Sequence, residues 1–526
     1  MHGFFNRILH VNLTDEAFYY EELPDSLLRE TLGGKGLGTH LLLRENPAGV
    51  DPFDEAARLI IAVGPITGTK VWSQSRFGVY AKSPATGGYG ESYCGGSLAP
   101  KIKGCAIDAL VIKGRAPGLT ALIIDPNGVT FANVPHLAGC DTFAAEEAVL
   151  AAAPTGAGAM TIGPAGENLV ACACIKSDKY RSVGRGGMGA VMGSKLLKAL
   201  AFTGDARAGL ADEGLLKQVN KIVAGTAKES PVTVKYRTRG TPMQVAVANH
   251  NKCFPTRYWQ SGYFEKWENI SSDYMLEHCE VSVEPCPNCF LQCTKHTRIM
   301  HGPHAGLELE GPEYETLYAI GGLNEIDSFE EICRLNVLCD KLGIDTMSAG
   351  NLSAFAVEAY KAGKSCLAID YNQPDRVASL FEDIAHRRGV GDTLAQGIKV
   401  AARELDMEDH AVHVKGLEPA GFDPRVLKGM GLSYATAARG ACHLRGTFYK
   451  AELSGQIEKH QLEGKAQLLI DYEDRAALFD SLVLCRFFRD FILWDELAML
   501  IEGSTGLHYT RQELERIANA ITMQSR

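Results

Sequence analysis

The first two hundred residues carry short apolar runs broken by glycine. Arg58 to Val63, Ala109 to Lys113 and Ala121 to Ile124 are brief, rich in aliphatic side chains and flanked by turn formers, which is the pattern of buried strands. The stretch AVMGSKLLKALA, Ala190 to Ala201, reads instead as a helix. Beyond it glycine thins and helical spacing takes over, beginning with LADEGLLKQVNKIVAG. Ser328 to Leu342 predicts a helix marked at both ends. Ser328 and Glu331 have capping-box spacing, and Gly343 is placed to stop the helix, so that Asp340 and Asp345 bracket its C-terminus. The chain is therefore expected to be α+β and multidomain. A β-rich N-terminal domain over 1–208 precedes two mainly α-helical domains over 209–410 and 411–526, the second boundary set where HAVHVKGLEPAGFDPR interrupts two helical regions.

Composition narrows the function. At 526 residues, with 46% apolar and 22% charged residues and no low-complexity tract, the chain has enough material for several folded cores. Its net charge of −10, with no concentrated Lys and Arg, excludes a general nucleic-acid surface. No 18-residue apolar run occurs, so no membrane span is expected, and an N-terminus without a charged leader and apolar stretch makes the cytoplasm the expected location. Fifteen cysteines without a disulfide-like framework fit a reducing compartment.

Three of those cysteines, Cys286, Cys289 and Cys293 in CPNCFLQC, form a tight run, and Cys485 ends DSLVLC far downstream. Three close thiolates and one distant thiolate match the four iron corners of a [4Fe–4S] cluster. A zinc knuckle is the alternative, although zinc sites usually join two close pairs. The order of spacers favours electron relay, and the absence of Cys-x-x-Cys-His removes covalent haem.

Two glycine-dense runs, GGKGLG at Gly33 to Gly38 and GRGGMGAVMGSK at Gly184 to Lys195, fit neither dinucleotide nor Walker patterns. Each reads either as a tight turn or as a set of backbone N–H groups facing a phosphate, with Arg76, Lys82, Arg181 and Arg185 as candidate counter-charges. Asp340-Lys-Leu-Gly-Ile-Asp345 and Asp480-Ser-Leu-Val-Leu-Cys485 share one frame. They read as ordinary helix-end acids, or as two carboxylates presented to N–H donors of a heterocycle.

Taken together, GGKGLG, GPITGT, SRFGVYAKSPATG, GRGGMGAVMGSKLLKA, CPNCFLQC, GPEYET, CDKLGIDTMSAG, FDPR, GACHLRG and DSLVLC occur in an order that resembles the aldehyde:ferredoxin oxidoreductase family over nearly the whole chain. The resemblance implies a β-rich saddle beneath a bis-pterin cofactor carrying tungsten or molybdenum, covered by two helical domains. It implies Asp340, Asp345 and Asp480 as pterin anchors, with Cys485 joining the second pterin motif to the cluster. Arg76 would stand by the cofactor phosphates, which Mg²⁺ bridges through carbonyls at Tyr93 and Ser182. Gly95, Val183, Arg185 and Leu484 complete the implied cofactor contacts.

For catalysis the resemblance implies Glu315 and His443 as an acid/base pair, a carboxylate fixing the imidazole tautomer, and Tyr314 orienting the carbonyl. Both members of the pair also have a structural reading, Glu315 as a helix cap and His443 as a packed core residue. The implied reaction interconverts an aldehyde and a carboxylic acid, exchanging electrons with a ferredoxin-like or other iron–sulfur partner; a homodimer is compatible with it. Three positions depart from the family pattern: Val483 replaces a glycine, Tyr93 an asparagine and Phe422 a tyrosine. No Glu-x-x-His around Glu331 marks the family's dimer-interface metal. The catalytic subunit of an aromatic acyl-CoA reductase is the alternative within the family, with Cys442 as candidate extra metal thiolate. Outside the family, the alternatives are a non-catalytic iron–sulfur carrier and a zinc-stabilised structural protein.

Overall fold

The computed structural model describes residues 1–526. Its N-terminal part is one six-stranded sheet built twice. Strands β1 (Arg7–Asn12), β2 (Ala17–Glu22), β3 (Leu59–Ala62), β4 (Phe77–Lys82), β5 (Tyr89–Cys94) and β6 (Ala109–Lys113) order as β2-β1-β6-β3-β4-β5. Strands β7 (Thr120–Asp125), β8 (Gly128–Asn133), β9 (Gly158–Thr161), β10 (Ile175–Ser177), β11 (Arg181–Val183) and β12 (Leu197–Phe202) order as β8-β7-β12-β9-β10-β11. Pairing sense matches throughout, including one parallel contact in each sheet, β1 with β6 and β7 with β12. The register matches as well. Ala62, Gly78 and Tyr93 face one another across the first sheet where Thr161, Lys176 and Ser182 do so across the second. The equivalent edge strands β5 and β11 meet, which gives the pair a local two-fold relation. Both sheets feed one core, with Leu9, Leu59 and Val79 packed in the same buried cluster as Leu122, Met160 and Leu200.

The AVMGSKLLKALA stretch corrects the sequence reading. It divides into a short helix, Met188–Ser194, and β12, whose six residues are all buried. A strand covered on both faces loses the polar alternation that would separate it from a helix.

The remaining chain is mostly helical. Helix Phe329–Leu342 has the predicted ends: Ser328 Oγ accepts from the Glu331 N–H, and Gly343 is left-handed at φ 73°. The Glu331 side chain does not complete a capping box. It turns to His304, 2.8 Å away, and to Arg334. A small sheet, β13 (Cys279–Val283), β14 (Lys295–Ile299) and β15 (Glu308–Glu310), holds the cysteine run at the tip of the β13–β14 hairpin. Phe290 and Leu291 of that tip are buried with Leu484, Phe488 and Leu497, so the near and distant cysteines are fixed by one core. No helix is long and apolar enough to cross a membrane.

Candidate redox active site

Two helices end on the two halves of the β domain in the same way. After helix Phe329–Leu342, the Ile344 N–H returns to the Cys339 carbonyl at 2.9 Å; after helix Lys465–Ser481, the Leu484 N–H returns to Phe479 at 2.7 Å. Both are six-to-one closures of the kind that stop helices with a left-handed residue. That residue is Gly343 in one and Val483, at φ 52°, in the other. The next turn of chain docks identically: Asp345 N–H donates to Cys172, and Cys485 N–H to Ser73. Gly163 and Gly64 lie so close beneath that an added Cβ would meet the Leu342 and Leu482 carbonyls at 2.5 and 2.6 Å. The shared Asp-x-x-x frame is thus the sequence trace of a duplicated docking site.

The four cysteines Cys286, Cys289, Cys293 and Cys485 line one cavity of about 290 Å³, together with Ser73, Arg76, Tyr93 and Gly95. No three of their sulfurs lie within 4.8 Å of one another, whereas a single tetrahedral zinc would draw four thiolates to about 3.8 Å apart. The Gly96 N–H donates to Cys286 Sγ at 3.3 Å, and Ser73 Oγ is buried there without a partner. Separated thiols, a backbone donor to sulfur and an orphan hydroxyl suit a cluster larger than one ion. Burial pushes the Cys289 thiol up to about 12, with the Cys485 thiol adding to it. Such a thiol stays protonated unless a metal takes the sulfur.

A larger cavity of about 390 Å³ adjoins, sharing Arg76, Ser182, Glu310, Glu313 and Cys485 with the first. Asp340, on its wall, accepts from Lys176 Nζ at 2.6 Å and from Asn336 Nδ2 at 2.8 Å. Asp345 accepts from Arg185 Nε at 3.0 Å and caps helix Thr346–Lys361. Arg185 reaches on to Glu418 at 3.0 Å. Arg76 donates to the Tyr93 carbonyl at 3.2 Å and points at Cys485 Sγ, 3.9 Å away. A cavity whose wall carries the carboxylates of Asp340 and Asp345 and the guanidinium groups of Arg76 and Arg185 fits a heterocycle rich in donors and acceptors with an anionic tail.

Glu315 and His443 face each other across this cavity. His443 Nε2 stands 3.6 Å from Glu315 Oε1, beyond hydrogen-bond range, while Glu315 Oε2 accepts from the Gly421 N–H at 2.9 Å. Burial raises the Glu315 carboxyl to about 8, and the Gly421 bond and Arg185 offset this only in part. Burial, with Arg439, Arg185 and Arg445, holds His443 well below its ordinary value. The expected carboxylate-fixed imidazole is therefore replaced by a protonated carboxyl facing a neutral imidazole at neutral pH. Glu315 does not cap a helix: Glu313 holds the N-cap position, and a π-helical turn, Leu317–Gly322, follows directly. Such turns are frequent at functional sites.

Several predicted residues take other places. Tyr314 lines the cavity and packs at a tilt against Phe422, but its hydroxyl is donated to the Gly421 carbonyl rather than toward a substrate. Asp480 does not reach the cavity; Arg445 and Arg486 cover its carboxylate. Val183 and Leu484 bury their side chains in the cores. The first glycine run lies outside the cavity lining, and the second reaches it only through Gly184 and Arg185. Gly34 and Gly36 press against backbone carbonyls of Asp480 and Thr31, Gly189 and Gly193 against those of Cys174 and Gly166. Lys82 bonds the Val50 carbonyl, and Arg181 pairs with Glu310. Sequence reasoning missed Lys35, Glu91, Arg439, Arg445 and Arg486, a buried network with Lys35 2.8 Å and Arg445 2.8 Å from Glu91. Its members lie in unrelated segments, and no spacing signal links them.

Known proteins resemble this chain over nearly its whole length. Two family models match, the aldehyde ferredoxin oxidoreductase N-terminal domain over residues 8–204 and domains 2 and 3 over 218–526. The tungsten-containing aldehyde ferredoxin oxidoreductases of Pyrococcus furiosus and Thermococcus kodakarensis are 33% and 32% identical, each aligned over 99% of this chain and 88% of the relative. The WOR-like subunit of an aliphatic sulfonate oxidoreductase from P. furiosus is 28% identical, over 93% of this chain and 80% of the relative. Among solved structures, the active site complex BamBC of benzoyl coenzyme A reductase with 1,5 dienoyl-CoA superposes with a TM-score of 0.82 at 21% identity, covering 100% of this chain and 88% of that one. At that identity the likeness concerns the fold.

Proposed function

The chain belongs to the aldehyde ferredoxin oxidoreductase family, and on that footing we propose that it interconverts aldehydes and carboxylic acids at a tungsten- or molybdenum-pterin centre. A [4Fe–4S] cluster on Cys286, Cys289, Cys293 and Cys485 would pass the electrons to a ferredoxin-like acceptor. The balanced change is aldehyde plus water to carboxylate, three protons and two electrons. The observation that carries the reading is the cavity with Glu315 and His443 on its wall, adjoining the four-cysteine cavity and sharing Arg76 and Cys485 with it.

The metal-pterin centre and the cluster, when bound, supply the two-electron exchange and the one-electron relay; proton handling falls to the protein. Glu315, raised to about 8, can take a proton from water in its ionised form and return one in the reverse direction. His443, neutral, can accept or donate at Nε2 on the same face. Asp340 and Asp345 would accept N–H bonds from one pterin. The Tyr93 and Ser182 carbonyls, equivalent positions on the meeting edge strands β5 and β11, would serve Mg²⁺ at the phosphates, with Arg76 beside them.

The aromatic acyl-CoA reductase reading needs an additional thiolate at the metal. Cys442 supports it poorly. Its sulfur lies 2.8 Å from Arg439 Nη2 in a buried position outside the cavity lining, and Arg439 with Arg445 overcomes burial to hold the thiol down to about 7.

The test is elemental analysis of anaerobically purified protein with acid-labile sulfide, followed by aldehyde turnover. Roughly one tungsten or molybdenum with about four irons per chain, and aldehyde-dependent reduction of a low-potential iron–sulfur acceptor, is the expected result. Zinc alone, or iron without tungsten or molybdenum from cells that make the cofactor, would sink the proposal.

A further inference from the structure

The chain carries a net charge of −10, yet residues 216–239 hold six basic side chains against one acid, Glu229. They lie on helix Glu213–Ala227 and helix Pro231–Arg239. The first helix buries Leu216, Val219, Val223 and Ala227 on one face. Lys217, Lys221 and Lys228 recur at helical spacing on another face, where all three are exposed in one stripe. Lys217 meets Glu213 at 3.6 Å and Arg239 pairs with Asp273, whereas Lys221, Lys228 and the exposed Lys235 have no ion pair. Unpaired like charges on one stripe repel one another and raise a local positive potential, which an acidic surface relieves.

This basic surface is fixed against the cysteine hairpin. Asn220, beside Lys221 on the first helix, donates to the Lys70 carbonyl at 2.8 Å and accepts from the Trp72 N–H at 3.0 Å. The same loop accepts from the hairpin tip, Asn288 Nδ2 reaching the Thr69 carbonyl at 3.4 Å, and Trp72 packs edge-on against Phe290 with centroids 5.1 Å apart. Phe290 follows Cys289 directly. Lys70 thereby adds an exposed cation between the stripe and the tip. The second helix is tied to the same run: Lys295 Nζ donates to the Tyr236 carbonyl at 3.1 Å and to the Cys293 carbonyl at 3.3 Å. Val232 and Val234 are exposed on that helix beside Lys235, which places apolar contact within a basic rim. Pro287 and Asn288 are exposed and Cys286 and Cys289 half-buried, so the tip brings the four-cysteine cavity to the surface.

Resting on the electron-relay reading above, we propose that Lys70, Lys217, Lys221, Lys228 and Lys235 form the docking surface for an acidic one-electron iron–sulfur protein, seated over the Pro287–Asn288 tip. Each encounter passes one electron from the proposed cluster to the partner's cluster. One aldehyde oxidised therefore reduces two partner molecules in succession, and the surface must release each of them quickly. Solvated, unpaired rim charges suit that task, because they speed encounter and orient the partner while adding little to its residence time. Glu280 and Glu284, exposed on β13, repel an acidic partner from that strand and so favour the lysine side. A stripe of lysines without arginine or aromatic residues offers charge but no base stacking, so a folded acidic protein fits it better than a nucleic acid.

The test uses the holoenzyme with a small acidic [4Fe–4S] ferredoxin and, separately, with benzyl viologen, a cationic one-electron acceptor that needs no protein docking. The combined change Lys217→Glu, Lys221→Glu and Lys228→Glu is expected to lower kcat/KM for the ferredoxin by roughly 10-fold to 10³-fold, through KM, with the viologen rate unchanged. Rising ionic strength should slow ferredoxin reduction by the unaltered enzyme and narrow its gap to the variant. Lys70→Glu gives a smaller loss of the same kind. Reversal of Lys252, Lys361 and Lys399, exposed elsewhere on the chain, leaves both acceptors unaffected. Unchanged ferredoxin kinetics in the triple variant, or an equal fall in the viologen rate, would overturn the surface. Calorimetric binding of an RNA oligonucleotide, tighter than the ferredoxin and lost in the variant, would overturn the choice of partner. Holoenzyme inactive on every aldehyde, yet binding the ferredoxin in a salt-sensitive way that the variant loses, would keep the surface and remove the aldehyde reading instead.

Discussion

The two halves of the β domain share one strand plan and hold their helix ends by different means. In the second half, Lys176 rises from β10 and pairs directly with Asp340. The equivalent residue of the first half is Gly78, where an added Cβ would sit 2.2 Å from the Tyr80 hydroxyl. That half offers no cation from its sheet at this point. Asp480 is neutralised instead by Arg445 and Arg486, both from the helical part, and Arg445 also serves Glu91 with Lys35. One helix end meets a carboxylate-rich surface open to the cavity; the other is sealed beneath arginines.

The last residue of each frame carries the larger consequence. Asp345 stays within a hydrogen-bonded set with Arg185, Ser348 and Glu418. Cys485 occupies the same backbone position but faces Arg76 and the thiols of the β13–β14 hairpin. With the proposed cluster on those thiols, a symmetric cradle would have one exit for electrons. The lesson is that the two halves share one paired scaffold, while three unlike pairs, Lys176 against Gly78 in the sheets and Asp345 against Cys485 and Gly343 against Val483 at the helix ends docked on them, make the halves unequal.

The sharpest way to break the comparison is to alter both ends of the frame. Cys485→Ser is expected to cut iron from about four per chain to below about one and to abolish electron transfer. Asp345→Asn should retain iron while tungsten or molybdenum content falls. Equal iron loss in both variants would show that the halves contribute alike to the cluster.

The proposed acid/base pair, Glu315 and His443, belongs to neither repeat, so its loss should leave both halves loaded. Glu315→Gln is expected to lower kcat by roughly 10²–10⁴ with metal content unchanged. Because Glu315 is raised to about 8, aldehyde oxidation, which uses its ionised form, should rise with pH through that value. Acid reduction uses the protonated form and should fall through it. His443, held well below its ordinary value by burial and the surrounding arginines, adds no limb above neutrality. A profile that keeps the same limb in Glu315→Gln would remove the glutamate from the reaction.

Much of this was legible in the chain, and the limits have physical causes. The strands at Leu59–Ala62 and Ala109–Lys113 and the doubly marked helix Phe329–Leu342 were visible because burial and caps leave local signals. β12 was not, since a fully buried strand beside a short helix shows no alternation. The repeat itself was hidden by divergence. Gly64-Pro65 and Gly163-Pro164, which seat the two helix ends, mark corresponding positions, as do Ala109-Leu110 and Ala199-Leu200, but so short a match of common residues gives no visible repeat. The four cysteines that line one cavity were legible from their spacing as candidate ligands. The Glu91, Lys35 and Arg445 network was not, because long-range ion pairs follow from the fold and impose no local pattern.

Smaller effects test the unequal cations. Lys176→Met leaves Asp340 buried with only Asn336, and breaking such a pair should cost about 3 kcal/mol, read as a lower denaturant midpoint of the cofactor-free protein. Adding Asp340→Asn should recover most of it, because a neutral amide does not require the cation. Recovery by the same substitution at Asp480 would deny the separation between halves.

The smallest effect concerns the left-handed residue. At Gly343, a Cβ would lie 2.9 Å from the Gly163 nitrogen, so Gly343→Val adds backbone crowding to a conformation that costs side-chain-bearing residues about 1–3 kcal/mol. A net loss of about 2 kcal/mol is expected. Val483 already sits at φ 52° and is buried, with its Cγ2 against Gly64. Val483→Gly relieves that strain but gives up apolar contact, and the two should cancel to within about 1 kcal/mol. If both substitutions destabilise equally, the second helix end is packed around its valine as firmly as the first is packed around its glycine, and the halves have diverged in shape as well as in charge.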